Sequence, residues 1–317
     1  MFYILSVFKI VSSPEFKNKT YILGVITAVV IWSLSFIATK ISLNSLPPLT
    51  LGALRFISTT ILLGLILVIR RDIITKIKFK DMIRIFISGI LGMTIYFSLE
   101  NSGVRLSTAS DAALIIASYP IITLVIEIIV YHKNASWTSF AGVGMTMAGI
   151  YLIVNESSQT GGAGRLTGNL ILVSAGLIWS LYNFITKKVV NRYPVILITF
   201  WQSFAGSIAF LPLAYIEHDM WKVPDLNSVL AFLYLTLFCS VLAFMLYSYG
   251  LKETPASTAV MLMNLVPVLG VFFAVFLLNE HISFRQIFSG IIVISGIIIG
   301  INNRSRELPP NEEYQLK

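Results

Sequence analysis

From Tyr21 onward the chain runs as long apolar stretches separated by short polar breaks. Ten stretches stand out, at 21–41, 50–69, 83–101, 107–130, 136–154, 168–188, 195–215, 227–249, 256–278 and 284–301. A helix needs about 20 residues to cross about 30 Å of hydrocarbon, and each stretch is near that length. The stretches are apolar throughout instead of alternating in polarity. That favours spanning helices over barrel strands, whose faces meet lipid and lumen in turn. The pattern predicts an all-α membrane protein with ten transmembrane helices. Residues 2–11 are apolar but too short to span. Lacking a basic start and a small-residue cleavage site, they read as an interfacial helix or an unstructured tail, not as a removable signal.

The stretches repeat. Ile31-Trp32-Ser33-Leu34 returns 147 residues later as Ile178-Trp179-Ser180-Leu181. The same offset aligns Thr39-Lys40 with Thr186-Lys187, Gly103 with Gly250, Ala109-Ser110 with Ala256-Ser257, Pro120 with Pro267, and Gly149 with Gly296. No gap is needed, so we read a duplicated unit. The organisation is an N-terminal cytoplasmic segment 1–20, a first repeat 21–154, a linker 155–167, a second repeat 168–301 and a cytoplasmic tail 302–317. The linker holds Gly161-Gly162-Ala163-Gly164 and is expected to be flexible. Five helices per repeat is an odd number, so the second copy enters the membrane upside down. Inverted repeats are an architecture of secondary transporters, with the binding site near the midplane.

Composition agrees with lipid as the solvent: 56% of residues are hydrophobic and 12% charged, against about 25% charged in soluble domains. The net charge of +8 does not point to nucleic acid, because the basic residues sit in the short breaks. With the N-terminus inside, 17 Lys and Arg fall at the cytoplasmic side, five at the outside, and Arg55 alone lies well inside a span. This excess puts both termini in the cytoplasm. The single Cys239 excludes an intrachain disulfide and a cysteine-rich metal site. His132, His218 and His281 are scattered, so neither a metal nor another cofactor is expected. No Gly-Lys-Ser/Thr phosphate loop supports ATP-driven transport. No Gly-x-Ser-x-Gly or paired-histidine motif supports an enzyme.

Several short motifs occur in order. They are Ile31-Trp32-Ser33-Leu34 with Lys40, Leu54-Arg55-Phe56, Tyr96-Phe97-Ser98-Leu99-Glu100-Asn101, and Ser107-Thr108-Ala109-Ser110-Asp111-Ala112. The second copy adds Ile178-Trp179-Ser180-Leu181, Thr254-Pro255-Ala256-Ser257-Thr258-Ala259 and Leu278-Asn279-Glu280. Together they resemble the EamA family of the drug/metabolite transporter superfamily, over roughly residues 21–301. The resemblance implies a metabolite transporter of the cytoplasmic membrane, often an exporter of amino acids or related small molecules. The chain departs from the pattern at Tyr131-His132-Lys133, where a partner of Glu280 would stand.

Carboxylates at membrane depth need a reason. Glu100 and Asp111 flank a short break and are expected to approach each other at the outer mouth of a cavity, as a proton or charge site. The competing reading makes them helix-end residues reaching headgroup water. Glu127 reads as a snorkelling or Lys-paired acid. Arg55 is expected either to pair with a carboxylate or to orient an anionic substrate group. Pro120 and Pro267 are expected as matched mid-span kinks, freeing the carbonyls of Ile116 and Met263. Trp32, Ser33, Tyr96, Tyr119, Trp179, Tyr182, Asn183, Tyr247 and Asn264 are read as the lining of a cavity suited to a small zwitterion or an apolar metabolite. Gly144 with Ala148, and Gly296 with Gly300, are read as close helix contacts, within the bundle or between protomers.

The expected function is export of a small-molecule substrate by alternating access, with protons as a candidate driving ion. The expected state is monomer or homodimer. A passive facilitator is the alternative, and a membrane-embedded enzyme a distant third.

Overall fold

The computed structural model describes residues 19–131, 137–160, 162–190, 192–250, 262–263 and 265–302. Among these, all regular structure is helical. Helix α1 (Lys19–Ser33) and α2 (Ser35–Ser42) form one span interrupted at Leu34. There Ser33 and Ser35 bond back to the carbonyls of Val29 and Trp32, which bends a helix. Next come α3 (Pro48–Ile69), then α4 (Phe79–Gly89) running through a π turn, Ile90–Ile95, into α5 (Tyr96–Leu106). Helices α6 (Ala109–Ala117), α7 (Tyr119–Tyr131) and α8 (Trp137–Thr160) complete the first copy. The second copy has α9 (Gly162–Lys187), α10 (Val195–Ile216), and α11 (Leu226–Leu233) passing through a π turn, Tyr234–Leu242, into α12 (Ala243–Gly250). It closes with α13 (Leu265–Leu278) and α14 (Phe284–Asn302).

Among the described residues, eight helical stretches are long and apolar enough to cross a membrane: Tyr21–Ser42, Pro48–Ile69, Phe79–Leu106, Ala109–Ile126, Trp137–Asn155, Gly162–Thr186, Val195–Ile216 and Leu226–Tyr247. Two shorter apolar helices, Leu265–Leu278 and Phe284–Ile299, follow. Large apolar side chains such as Ile69, Tyr215, Phe276 and Ile291 project outward. In water this would be an aggregating surface; in a bilayer it is the lipid face.

The 147-residue register extends to the boundaries of the helices. Pro47 precedes α3 and Pro194 precedes α10, each in an extended conformation that starts the helix after it. Both helices are 22 residues long. The 3-10 turns Arg71–Ile73 and His218–Met220 correspond, as do the starts of α4 and α11 and the ends of the two π turns.

Contacts between copies are reciprocal. A Cβ on Gly103 of α5 would lie 2.6 Å from Leu172 Cγ and 3.0 Å from Gly168 O, both on α9. A Cβ on Gly250, the matched residue on α12, would lie 2.7 Å from Tyr21 O of α1 and against Val25. Tyr21 and Val25 are themselves the counterparts of Gly168 and Leu172. Likewise Gly149 of α8 abuts Ser289 O and Val293 of α14, while Gly296 abuts their counterparts Gly142 O and Thr146. Small residues let these backbones approach closely, which drives helix association where lipid competes for apolar contact.

Three sequence expectations need correcting. The stretch expected as a flexible linker is helical on both sides: α8 continues to Thr160 and α9 begins at Gly162. The chain turns where Gly162 adopts φ +68°, a left-handed conformation that glycine takes without a Cβ clash. Pro120 lies beside a break in its span, between two helices, and not inside one continuous helix. Helix α6 ends at Ala117, and Pro120 is the second residue of α7, where a missing N–H costs nothing. The Ile116 carbonyl is approached by the Ser118 N–H and is not left free. Gly144 and Ala148 do not mediate a helix contact within the bundle. Gly144 has open space around it, and the packed face of α8 is Gly142, Thr146 and Gly149.

Candidate functional site

The site grows from a feature of α11–α12. In a π turn the hydrogen bonds reach one residue further, so backbone groups near it are displaced from the regular ladder. Here the Cys239 carbonyl accepts from Trp32 Nε1 at 3.1 Å, and the neighbouring Ser240 Oγ accepts from Arg55 Nε at 2.9 Å. One turn thereby ties α1 and α3 to the second copy.

Arg55 is only 8% exposed. Its guanidinium carbon sits 4.7 Å from the centre of the Phe97 ring and 5.7 Å from that of Phe56. A ring face attracts a cation, and more strongly once water is excluded. Glu100, three residues beyond Phe97 on α5, is also 8% exposed, and its Oε2 is sealed without a hydrogen-bond partner. Arg55 and Glu100 lie within each other's field, with Tyr96 beside both. Among the described residues no ion pair joins them.

Aromatic rings surround this pair. Tyr96 meets Phe97 at 4.8 Å, Trp179 at 4.8 Å and Tyr119 at 6.2 Å between ring centres. Trp179 continues to Tyr182 at 5.0 Å. The Tyr119 hydroxyl donates to Leu172 O at 2.7 Å. On the other side Trp32 packs on Phe244 at 5.3 Å and Tyr247 at 5.4 Å. The structure therefore gathers Trp32, Arg55, Tyr96, Glu100, Tyr119, Trp179 and Tyr247. Ser33 and Asn183 are placed differently: Ser33 is buried on the Val29 carbonyl and Asn183 bonds the Trp179 carbonyl of its own helix. Pro267 is buried on α13. Asn264 and the Glu127 side chain lie outside the described residues.

Asp111 belongs to a second cluster, where α5, α6, α9 and α14 converge. It is fully buried and is held by Arg165 at 2.8 and 3.0 Å, by Asn169 Nδ2 at 2.9 Å and by Gln286 Nε2 at 2.7 Å. Ser107 Oγ adds a bond at 3.3 Å and another to Asn169. The expected pairing with Glu100 is replaced by this bidentate grip, because a planar guanidinium neutralises a buried carboxylate far better than a second acid would.

Around it, charged side chains finish helix ends. Thr108 caps α6 by accepting from the Asp111 N–H. The remaining first-turn groups go to Glu280, which accepts from Ala109 N at 2.8 Å, Ser110 N at 3.0 Å and Ser110 Oγ at 2.5 Å. Unpaired N–H groups and the helix dipole make that terminus a place for a carboxylate. Asn279, with φ 52°, turns the chain after α13 and presents Glu280. At the end of α5, Lys40 Nζ donates to Val104 O at 2.7 Å, to Arg105 O at 3.2 Å and to Ser107 O. Glu217 does for α3 what Glu280 does for α6, accepting from Thr50 N and Oγ1 at 2.8 and 2.9 Å. Asp225 caps α11 through Ser228 N and bonds Ser45. The Ser45 bond, then the Ser228 bonds, hold the Asp225 carboxyl down at about 2.

A further buried acid is Asp81, which accepts from Arg84 at 2.8 Å, Arg192 at 3.1 Å and Tyr193 at 3.0 Å. Sequence reasoning gave no role to Asp81, Arg165, Asn169 or Gln286. The available signal was that Arg165 is the only basic residue between Lys133 and Lys187. Among the described residues no group of three or more acid, histidine or cysteine side chains could hold a metal.

Comparison with known proteins adds the following. The family model described as EamA-like transporter family matches residues 19–155 and again 166–301. An uncharacterized transporter of Archaeoglobus fulgidus is 26% identical over 285 residues, covering 89% of this chain and 97% of that one. The uncharacterized transporter YoaV of Bacillus subtilis is 24% identical, covering 90% and 97%. A Salmonella typhimurium protein described as a "probable amino-acid metabolite efflux pump" is 22% identical, covering 86% and 92%. A crystal structure superposes with a TM-score of 0.61 at 19% identity, over 92% of this chain and 100% of that chain.

Proposed function

Because the chain belongs to the EamA-like transporter family, and is thus a multi-pass membrane transporter of small molecules and not an enzyme, we propose that it exports small metabolites by alternating access. In this reading ten helices form two inverted five-helix repeats, both termini are cytoplasmic, and the protein sits in the cell's inner membrane. The substrates are amino acids or related compounds, in keeping with the description of the Salmonella relative.

The observation that carries the mechanism is the reciprocity of the glycine contacts. The packing of Gly103 of α5 against α9 is answered by that of Gly250 of α12 against α1, and the packing of Gly149 of α8 against α14 by that of Gly296 of α14 against α8. Two halves that meet through interchangeable contacts have two nearly equivalent packings, which alternating access needs. The substrate path runs between them, past Trp32, Arg55, Tyr96, Glu100, Tyr119, Trp179 and Tyr247. The cluster of Lys40, Asp111, Arg165, Asn169, Gln286 and Glu280 closes the outer end. Asp111 is already committed to Arg165, which leaves Glu100 as the acid for a proton or charge role.

The test is uptake of a labelled amino-acid and metabolite panel into inside-out vesicles or proteoliposomes. Accumulation above equilibrium, driven by a proton gradient, is the expected result. Equilibration without accumulation makes the protein a facilitator, and no transport of any panel member overturns the reading. Terminal tags reachable from opposite sides of the membrane overturn the topology.

A further inference from the structure

Arg55 and Glu100 are two opposite charges, each more than nine-tenths buried, that do not satisfy one another. Taking a charge out of water is costly unless a partner replaces the water. Arg55 uses only Nε within the protein, towards Ser240. Its terminal nitrogens, the fork that matches a carboxylate, donate to no described residue. Glu100 Oε2 is sealed and without a donor. A structural ion pair would have closed to hydrogen-bond distance. Instead the two groups stand apart within each other's field, with Tyr96 interacting with Glu100 through its side chain. Phe97 lies against the Arg55 guanidinium and packs on Tyr96, which in turn meets Trp179, so these neighbours add no formal charge.

A ligand that completes both groups must carry an anion and a cation a few ångströms apart. We propose that Arg55 and Glu100 hold the head group of a zwitterionic α-amino acid, with the ligand carboxylate on the Arg55 terminal nitrogens and its ammonium on Glu100 Oε2. The ligand side chain then rests on the aromatic wall of Tyr96 and Trp179. This assignment rests on the transporter reading and deepens it by naming the groups that select the substrate. Each end replaces the missing partner of a buried charge, so the pair discriminates against molecules carrying only one charge.

The experiment compares leucine with leucinamide, isoamylamine and 4-methyl-2-oxopentanoate, binding each to the purified full-length protein in nanodiscs by tryptophan fluorescence. Expected is a loss of roughly tenfold to hundredfold in affinity whenever either charged end is removed. Arg55→Gln should erase the preference for leucine over its amide while keeping its preference over the oxo acid, and Glu100→Gln should do the reverse. The wild-type ligand series decides the matter even where a variant fails to fold. Equal binding of leucine and its single-charge analogues overturns the proposal. Leucine binding with the expected pattern but no vesicle transport supports the clamp and sinks the transporter reading. Transport of a substrate without either charge, unchanged in Arg55→Gln and Glu100→Gln, does the opposite.

Discussion

Gly103 and Gly168 meet backbone to backbone across the two copies. A Cβ on Gly103 would sit 3.0 Å from Gly168 O, and a Cβ on Gly168 would sit 2.9 Å from Gly103 O. Neither obstacle is a side-chain tip that can swing away. Gly103→Ala should therefore push α5 from α9 and destabilise the fold by about 1–3 kcal/mol, the usual cost of overpacking. Gly250→Ala should cost a similar amount through Tyr21 O, and Gly144→Ala, which meets open space, little. Thermal unfolding in detergent checks all three.

Asp111 and Arg165 form the second test. Asp111→Ala leaves Arg165, Asn169 and Gln286 facing an empty site, and Arg165→Ala leaves a carboxylate in a fully buried position. Breaking such a pair typically costs about 3–5 kcal/mol. The double variant should be less destabilised than the sum of the singles. A double-mutant cycle on unfolding reads the difference, and simple additivity would show that the two act independently.

Glu280 bridges copies by finishing a helix that is not its own. Glu280→Ala should free the Ala109 and Ser110 amides, which then exchange hydrogen faster than in the wild type. The loss in stability should be about 1–2 kcal/mol, as for removal of an N-cap. Glu280→Gln should fall between the two. Unchanged exchange across Ala109–Ala117 would contradict the capping role.

Asp225 gives a pH dependence with a defined sign. Its carboxyl is held at about 2 in the fold, chiefly by Ser45 and then by Ser228, against about 3.9 in an unfolded chain. A depressed value means that the charged form is favoured on folding. The stabilisation is present above about pH 4 and is lost as pH falls towards 2. The gap in unfolding midpoint between wild type and Asp225→Asn should shrink over that window. A carboxyl titration by NMR that gave an ordinary aspartate value would remove the claim.

The limits of sequence reading follow from particular residues. Trp32, Tyr96, Tyr119 and Trp179 were legible as a central group because aromatic and polar residues deep in a span are unusual in lipid. Ser33, equally deep, turned out to serve its own helix, since a hydroxyl can satisfy itself on the carbonyl four residues back. Asp111 was singled out in the sequence but given the wrong partner. Its cation lies 54 residues away in a stretch that looked like a linker, and only folding brings Arg165 there.

The sequence alone determined that lipid is the solvent, that long apolar helices cross it, and that one unit occurs twice. These follow from local quantities: apolar length, charge and a register without gaps. Tertiary structure decided which acid meets which cation, which helix ends Glu217 and Glu280 finish, and that Arg55 and Glu100 remain apart. In a membrane the packed face and the lipid face of a helix are both apolar, so periodicity does not say which side turns inward. Buried polar partners come from distant parts of the chain, and their pairing exists only once the two copies have packed together.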